Sequence, residues 1–175
     1  MAAWHIRDYS NDVDLYVPEV PFESVDIVEA ELRAVHGPSF RLDVTSGENV
    51  WGTILVRDIA SSPAIGRVDD THELRALSVE DLFALKLASA RSRDLQDLDL
   101  LAKFTTADAL IVRWNQLVKW HGDRHAILGF ADALVRELVR LWACDPIATI
   151  QRLAVVESHR RLLLETFGGA DAGTS

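Results

Sequence analysis

Arg7-Asp8-Tyr9-Ser10-Asn11-Asp12-Val13-Asp14-Leu15-Tyr16-Val17 alternates acidic and apolar residues through its second half. In a β-strand a spacing of two places Asp12 and Asp14 on one face, with Val13, Leu15 and Val17 on the other. Like charges side by side on a strand repel unless a cation relieves them. Mg²⁺, a hard ion that takes carboxylate and phosphate oxygens, is the cation this pattern points to. The alternative is the solvated face of an edge strand, where charged residues are common.

Outward from this stretch, Pro18 and Pro21 close a strand over Asn11–Val17. Glu23–Val35 reads as an amphipathic helix with Val25, Val28, Leu32 and Val35 on one face, stopped by His36-Gly37-Pro38. Phe40–Thr45 alternates as a second strand. Trp51–Val56 reads as a third, hairpin-paired with the second through the turn Ser46-Gly47-Glu48-Asn49. Residues 59–76 read as loop, with a short strand near Ile65–Val68. After residue 77 the periodicity becomes helical. Ser78 caps a helix with an acidic first turn, Glu80 and Asp81, and Leu82, Leu85, Lys86 and Ala88 follow at helical spacing. Asp94–Phe104, with Leu95, Leu98 and Leu101 aligned, then Thr106–Trp120, Ala126–Ala143 and Ile147–Phe167 continue as helices. The expected architecture is α+β: a small mixed β-sheet core over 1–77, a helical bundle over 78–168 packed on it, and a disordered tail over 169–175.

Composition narrows the function. The net charge of −9 over 175 residues is uneven: residues 1–75 hold 6 basic and 14 acidic groups, a balance of −8, and residues 76–175 hold 12 and 13, a balance of −1. A chain so charged is not an electrostatic nucleic-acid binder as a whole, and a polyanion would have to dock on local arginines such as Arg152, Arg160 and Arg161. One cysteine, Cys144, excludes an internal disulfide framework and a cysteine zinc site, which fits a reducing cytoplasm. No apolar run approaches the ~18–20 residues of a membrane span, and Met1–His5 carries no signal-peptide core. His121 and His125 in a helix connection are a weaker metal candidate, and Trp114, Trp120 and Trp142 read as core or interface residues.

Asp43 strengthens the metal reading. It sits between Leu42 and Val44, away from the apolar face, and joins Asp12 and Asp14 if the two strands are neighbours. Three carboxylates on adjacent strands suit Mg²⁺ in phosphoryl or nucleotidyl transfer. The alternative for Asp43 is an exposed partner of Arg41 or Arg57. Lys86, among Leu85, Leu87 and Ala88, either extends to solvent or aims at an anion. Asp94 reads as a helix cap and Asp97 as the partner of an arginine.

Arg7-x-x-Ser10-x-Asp12-Val13-Asp14-Leu15 is similar to the Arg-x-Ser/Thr-x-Asp-Ile/Val-Asp-Leu strand of the nucleotidyltransferase superfamily, with one extra residue after the arginine. Leu82-Phe83-Ala84-Leu85-Lys86-Leu87-Ala88 and Arg93-Asp94-Leu95-Gln96-Asp97-Leu98 resemble a later helical motif of its AbiE-type toxin/antitoxin-associated branch. The likeness covers about residues 7–101. It implies Asp12 and Asp14 as metal ligands, with Asp43 as third carboxylate, holding a second metal or acting as base. It places Ser10, Lys86 and Asp97 toward a bound nucleotide, with Lys86 on the triphosphate. It further implies Mg²⁺, a nucleoside triphosphate, a tRNA or protein acceptor, and a cognate partner protein or a second copy of the chain. The family's Gly-Gly or Gly-Ser phosphate turn has no counterpart before Asp12, since Gly37 is the first glycine. A catalytically inactive binding protein of the same fold is therefore the second expectation.

Overall fold

A computed structural model describes residues 12–16, 22–45, 62–67, 70, 73–89, 92–121 and 130–169. The chain divides into two compact units, Met1–Leu77 and Ser78–Ser175. The class is α+β: the described strands lie in the first unit, and the described regular elements of the second unit are all helices.

In the first unit, β1 (Asp12–Tyr16) leads through α1 (Phe22–His36) to β2 (Arg41–Thr45), and β1 and β2 pair in parallel. A parallel pair cannot be closed by a tight turn, and the 15-residue helix is the crossover it requires. Gly37 ends α1 at φ +99°, a conformation that disfavours any side chain, and its N–H donates to the Arg33 carbonyl at 2.9 Å. Side chains of α1 then set the start of β2. Glu29 accepts from Arg33 Nη2 at 2.7 Å and from the Leu42 N–H at 3.3 Å, while Arg33 Nε donates to the Phe40 carbonyl at 3.1 Å. Phe40 is buried and stacks on His36. The expected apolar face of α1 is only half used: Val25 and Leu32 are partly buried, but Val28 and Val35 are exposed.

The expected strand at Trp51–Val56 and its hairpin with β2 lie outside the described residues. The strand expected near Ile65–Val68 is present as β3 (Ala64–Arg67). It has an antiparallel partner, β4 (Glu73–Arg75), where loop was expected. A register irregularity lies between Ala64 and Gly66. Arg75 secures the pair, donating to the Ser62 carbonyl at 2.6 Å and pairing with Glu73 at 2.6 Å. Among the described residues the strands therefore form two separate pairs rather than one mixed sheet.

The second unit contains α2 (Val79–Ser89), α3 (Ser92–Leu101), α4 (Ala107–His121), α5 (Ala131–Trp142), α6 (Pro146–Arg152) and α7 (Glu157–Gly168). Phe83, Leu98, Leu117, Leu138 and Ile150 are among its fully buried side chains. Trp114 is buried, and Trp142 lies 6.2 Å, centroid to centroid, from Phe83. The side chain of Trp120 is outside the described set.

The single helix expected over Ile147–Phe167 is two. The chain breaks at Leu153–Val156, where no glycine or proline marks a stop. Side chains from elsewhere hold the break open. Asn115 donates to the Arg152 carbonyl at 2.9 Å and accepts from the Ala154 N–H at 2.7 Å. Arg160 donates to the carbonyls of Ile150, Leu153 and Val155 at 2.6, 3.0 and 3.4 Å. These bonds satisfy backbone groups that a continuous helix would have used internally.

Candidate functional site

The parallel register sets Asp14 beside Asp43 and Asp12 beside Arg41. Neighbouring strands lie roughly 4.8 Å apart, so positions 14 and 43 are adjacent across the pair. Strand alternation puts 12, 14, 41 and 43 on one face and 13, 15, 42 and 44 on the other. Burial follows that division in β2, where Arg41 and Asp43 are exposed and Leu42 and Val44 are half-buried; Leu15 of β1 is half-buried as well. The strand positions of all three expected carboxylates thus belong to one face of one strand pair. For Asp12 and Asp14 only the backbone is described, and Ser10 lies outside the described residues.

The donor set at these positions fits Mg²⁺. It offers carboxylate oxygens without thiolate or imidazole, and Asp43 is open to the water that Mg²⁺ keeps in its shell. Among the described residues no group of three or more His, Cys, Asp or Glu side chains is gathered for a metal, and Asp43 is the one member of the trio whose side chain is described. His125 lies outside the described residues, as does the side chain of His121.

Lys86, Asp94 and Asp97 come together in the helical unit. Lys86 Nζ lies 3.1 Å from Asp94 Oδ1 and 3.0 Å from Asp97 Oδ2, and the Ser89 hydroxyl donates to Asp94 Oδ2 at 2.5 Å. Both carboxylates are buried, and the lysine side chain is 24% exposed. Among the described residues Asp97 pairs with Lys86; the side chains of Arg91 and Arg93, the nearest arginines in sequence, lie outside the described residues. Asp94 is not the cap of α3; it lies within its first turn. The buried stripe of α3 runs 94, 97, 98, 101, the i, i+3, i+4, i+7 pattern of one helix face. Aspartates fill its first two positions. Leu95, expected on that stripe, is exposed.

A second buried carboxylate, Asp81, is 1% exposed. It accepts from Arg113 Nε at 2.6 Å and Nη2 at 2.9 Å, and from the Ser78 hydroxyl at 2.8 Å. Its own N–H donates back to Ser78 Oγ at 3.1 Å, a reciprocal cap of α2. The cap was visible in the residues; Arg113, 32 positions away, carried no local signal. Of the arginines considered for an acidic partner, Arg160 is committed to backbone carbonyls, Arg152 pairs with Asp108 at 2.6 Å, and Arg161 lies 3.9 Å from Glu165.

A cavity of about 20 Å³ lined by Phe83, Leu110, Trp114 and Leu134, among others, has room for a water but not for a nucleotide. No described helix is long and apolar enough to cross a membrane.

A family model described as nucleotidyl transferase AbiEii toxin, Type IV TA system, matches residues 9–160. No curated protein and no solved structure matches the chain.

Proposed function

The chain belongs to the AbiEii nucleotidyl transferase toxin family, and from that premise we propose that it transfers a nucleotide from a Mg²⁺-bound nucleoside triphosphate to a tRNA or protein hydroxyl. The observation that carries the reading is the pairing of Asp14 with Asp43 in parallel register, two residues along the strand from Asp12. The acceptor oxygen attacks the α-phosphorus and gives its proton to a base, a role open to Asp43, while the bond to the β-phosphate oxygen breaks and pyrophosphate leaves. Mg²⁺, when bound, neutralises charge on the phosphates. Asp12 and Asp14 would hold it, with Asp43 as third ligand or as base, and positioning of the reacting groups is a large part of such catalysis. Lys86, Ser10 and Asp97 enter the reading through the motif likeness alone.

Family membership also supports a place in a toxin–antitoxin system with a cognate partner protein. A catalytically inactive binding role on the same fold is the second reading. The test supplies each of the four nucleoside triphosphates, labelled at the α-phosphate, with Mg²⁺ and either bulk tRNA or total protein. Label should move to one acceptor class with the wild-type chain and not with Asp12→Asn/Asp14→Asn. Absence of transfer and of Mg²⁺-dependent nucleotide binding by the wild type would reject the enzyme reading in favour of the inactive one.

A further inference from the structure

Resting on the nucleotidyltransferase reading of the β1–β2 face, we infer that Arg41 is a substrate-binding residue that grips the phosphate chain of the triphosphate. β2 sets Arg41 beside Asp12 in register and two residues from Asp43. Arg41 and Asp43 are both exposed and Leu42 between them is half-buried, so the cation and the carboxylate share the open face.

The guanidinium is held at one corner. Nη1 donates to the carbonyls of Pro38 at 3.2 Å and Phe40 at 2.9 Å. Among the described residues Nε and Nη2 take no acceptor. These two groups form one edge of the planar fork, the geometry that meets two oxygens of a phosphate at once. The anchored corner lowers the rotamer entropy lost when that edge binds.

Electrostatics give the residue a reason to be there. Carboxylates that hold a metal also repel the phosphate oxygens the metal leaves uncovered, and a permanent cation in register with Asp12 and two residues from Asp43 offsets that repulsion. The carbonyls that anchor Arg41 belong to the α1–β2 connection, which Glu29, Arg33 and the buried Phe40 secure. Arg41 is therefore presented from a braced segment.

Isothermal titration of the full chain with inorganic tripolyphosphate in saturating Mg²⁺ tests this without regard to base or acceptor. Wild type should bind. R41M should weaken binding roughly ten- to hundredfold, the range for a lost charge-assisted pair of bonds. R41K, which keeps the charge but not the fork, should fall between. Thermal melting of each variant separates this from a loop-fastening role, which would lower the melting temperature and leave affinity intact. If R41M does not fold, R41K carries the comparison. Wild-type affinity in R41M, or in R41K if R41M does not fold, would overturn the Arg41 assignment and leave the carboxylate reading standing. A folded wild-type chain that binds no tripolyphosphate would overturn both.

Discussion

The acids of the β1–β2 face and the acids of the helical unit are the same residue type in opposite circumstances. Asp81, Asp94 and Asp97 are buried, and each has a cation within 3.1 Å: Arg113 for the first, Lys86 for the other two. Asp43 is exposed, and the register places another aspartate beside it. A buried carboxylate without its partner costs several kcal/mol, so pairing inside the helical unit is a condition of folding there. An exposed strand face has no such requirement. Like charges gathered on it raise the energy of the empty protein modestly and lower that of a cation-bound one. On the proposed reading, burial separates the carboxylates that hold the fold from Asp43, which is offered to a ligand.

That division can be broken most forcefully at Arg113. Arg113→Met strands Asp81 and should cost about 3–5 kcal/mol in urea unfolding. A loss below about 1 kcal/mol would mean that water reaches Asp81 and that burial is not what distinguishes the two regions. Lys86→Met should cost less, about 2–3 kcal/mol, because the lysine side chain is 24% exposed and solvent screens part of the interaction. This variant also separates the two accounts of Lys86. Lost stability with unchanged tripolyphosphate affinity marks a structural clamp; lost affinity in a stable variant marks a phosphate contact.

Asn115→Ala should cost about 1–2 kcal/mol by removing the acceptor of the Ala154 N–H, measured by the same unfolding. Protection of that amide against hydrogen exchange should fall with it. Arg152→Ala breaks only an exposed pair with Asp108 and should change stability by less than about 0.5 kcal/mol. Asp43→Asn should leave stability unchanged or slightly raised, in contrast to Asp81, Asp94 and Asp97, while removing Mg²⁺-dependent binding.

Much of the proposed metal face could be read from the residues because its signals are local. Alternation around Asp12, Asp14 and Asp43 needs no knowledge of the rest of the chain, and the helical signature of residues 78–121 is equally short-ranged. Whether Asp43 sits beside Asp14 depends instead on a parallel pairing across α1, and periodicity says nothing of register. The break at Leu153–Val156 was hidden for a related reason. Asn115 and Arg160, which hold it, look like ordinary surface residues on their own helices until tertiary structure brings carbonyls to them. Asp94 and Asp97 misled differently. Hydrophobicity places Leu95 on the buried stripe of α3, whereas Lys86 and Ser89 supply the partners that let aspartates take it.

On the proposed reading Asp12, Asp14 and Asp43 of the β1–β2 face, and not the buried acids of the helical unit, hold the divalent ion. Titration with Mn²⁺, a paramagnetic substitute for Mg²⁺ whose free form is counted by electron paramagnetic resonance, tests it most directly. Wild type and Lys86→Met should remove Mn²⁺ from solution with the same stoichiometry, and Asp14→Asn/Asp43→Asn should not. Undiminished Mn²⁺ binding in that folded double variant would contradict the account.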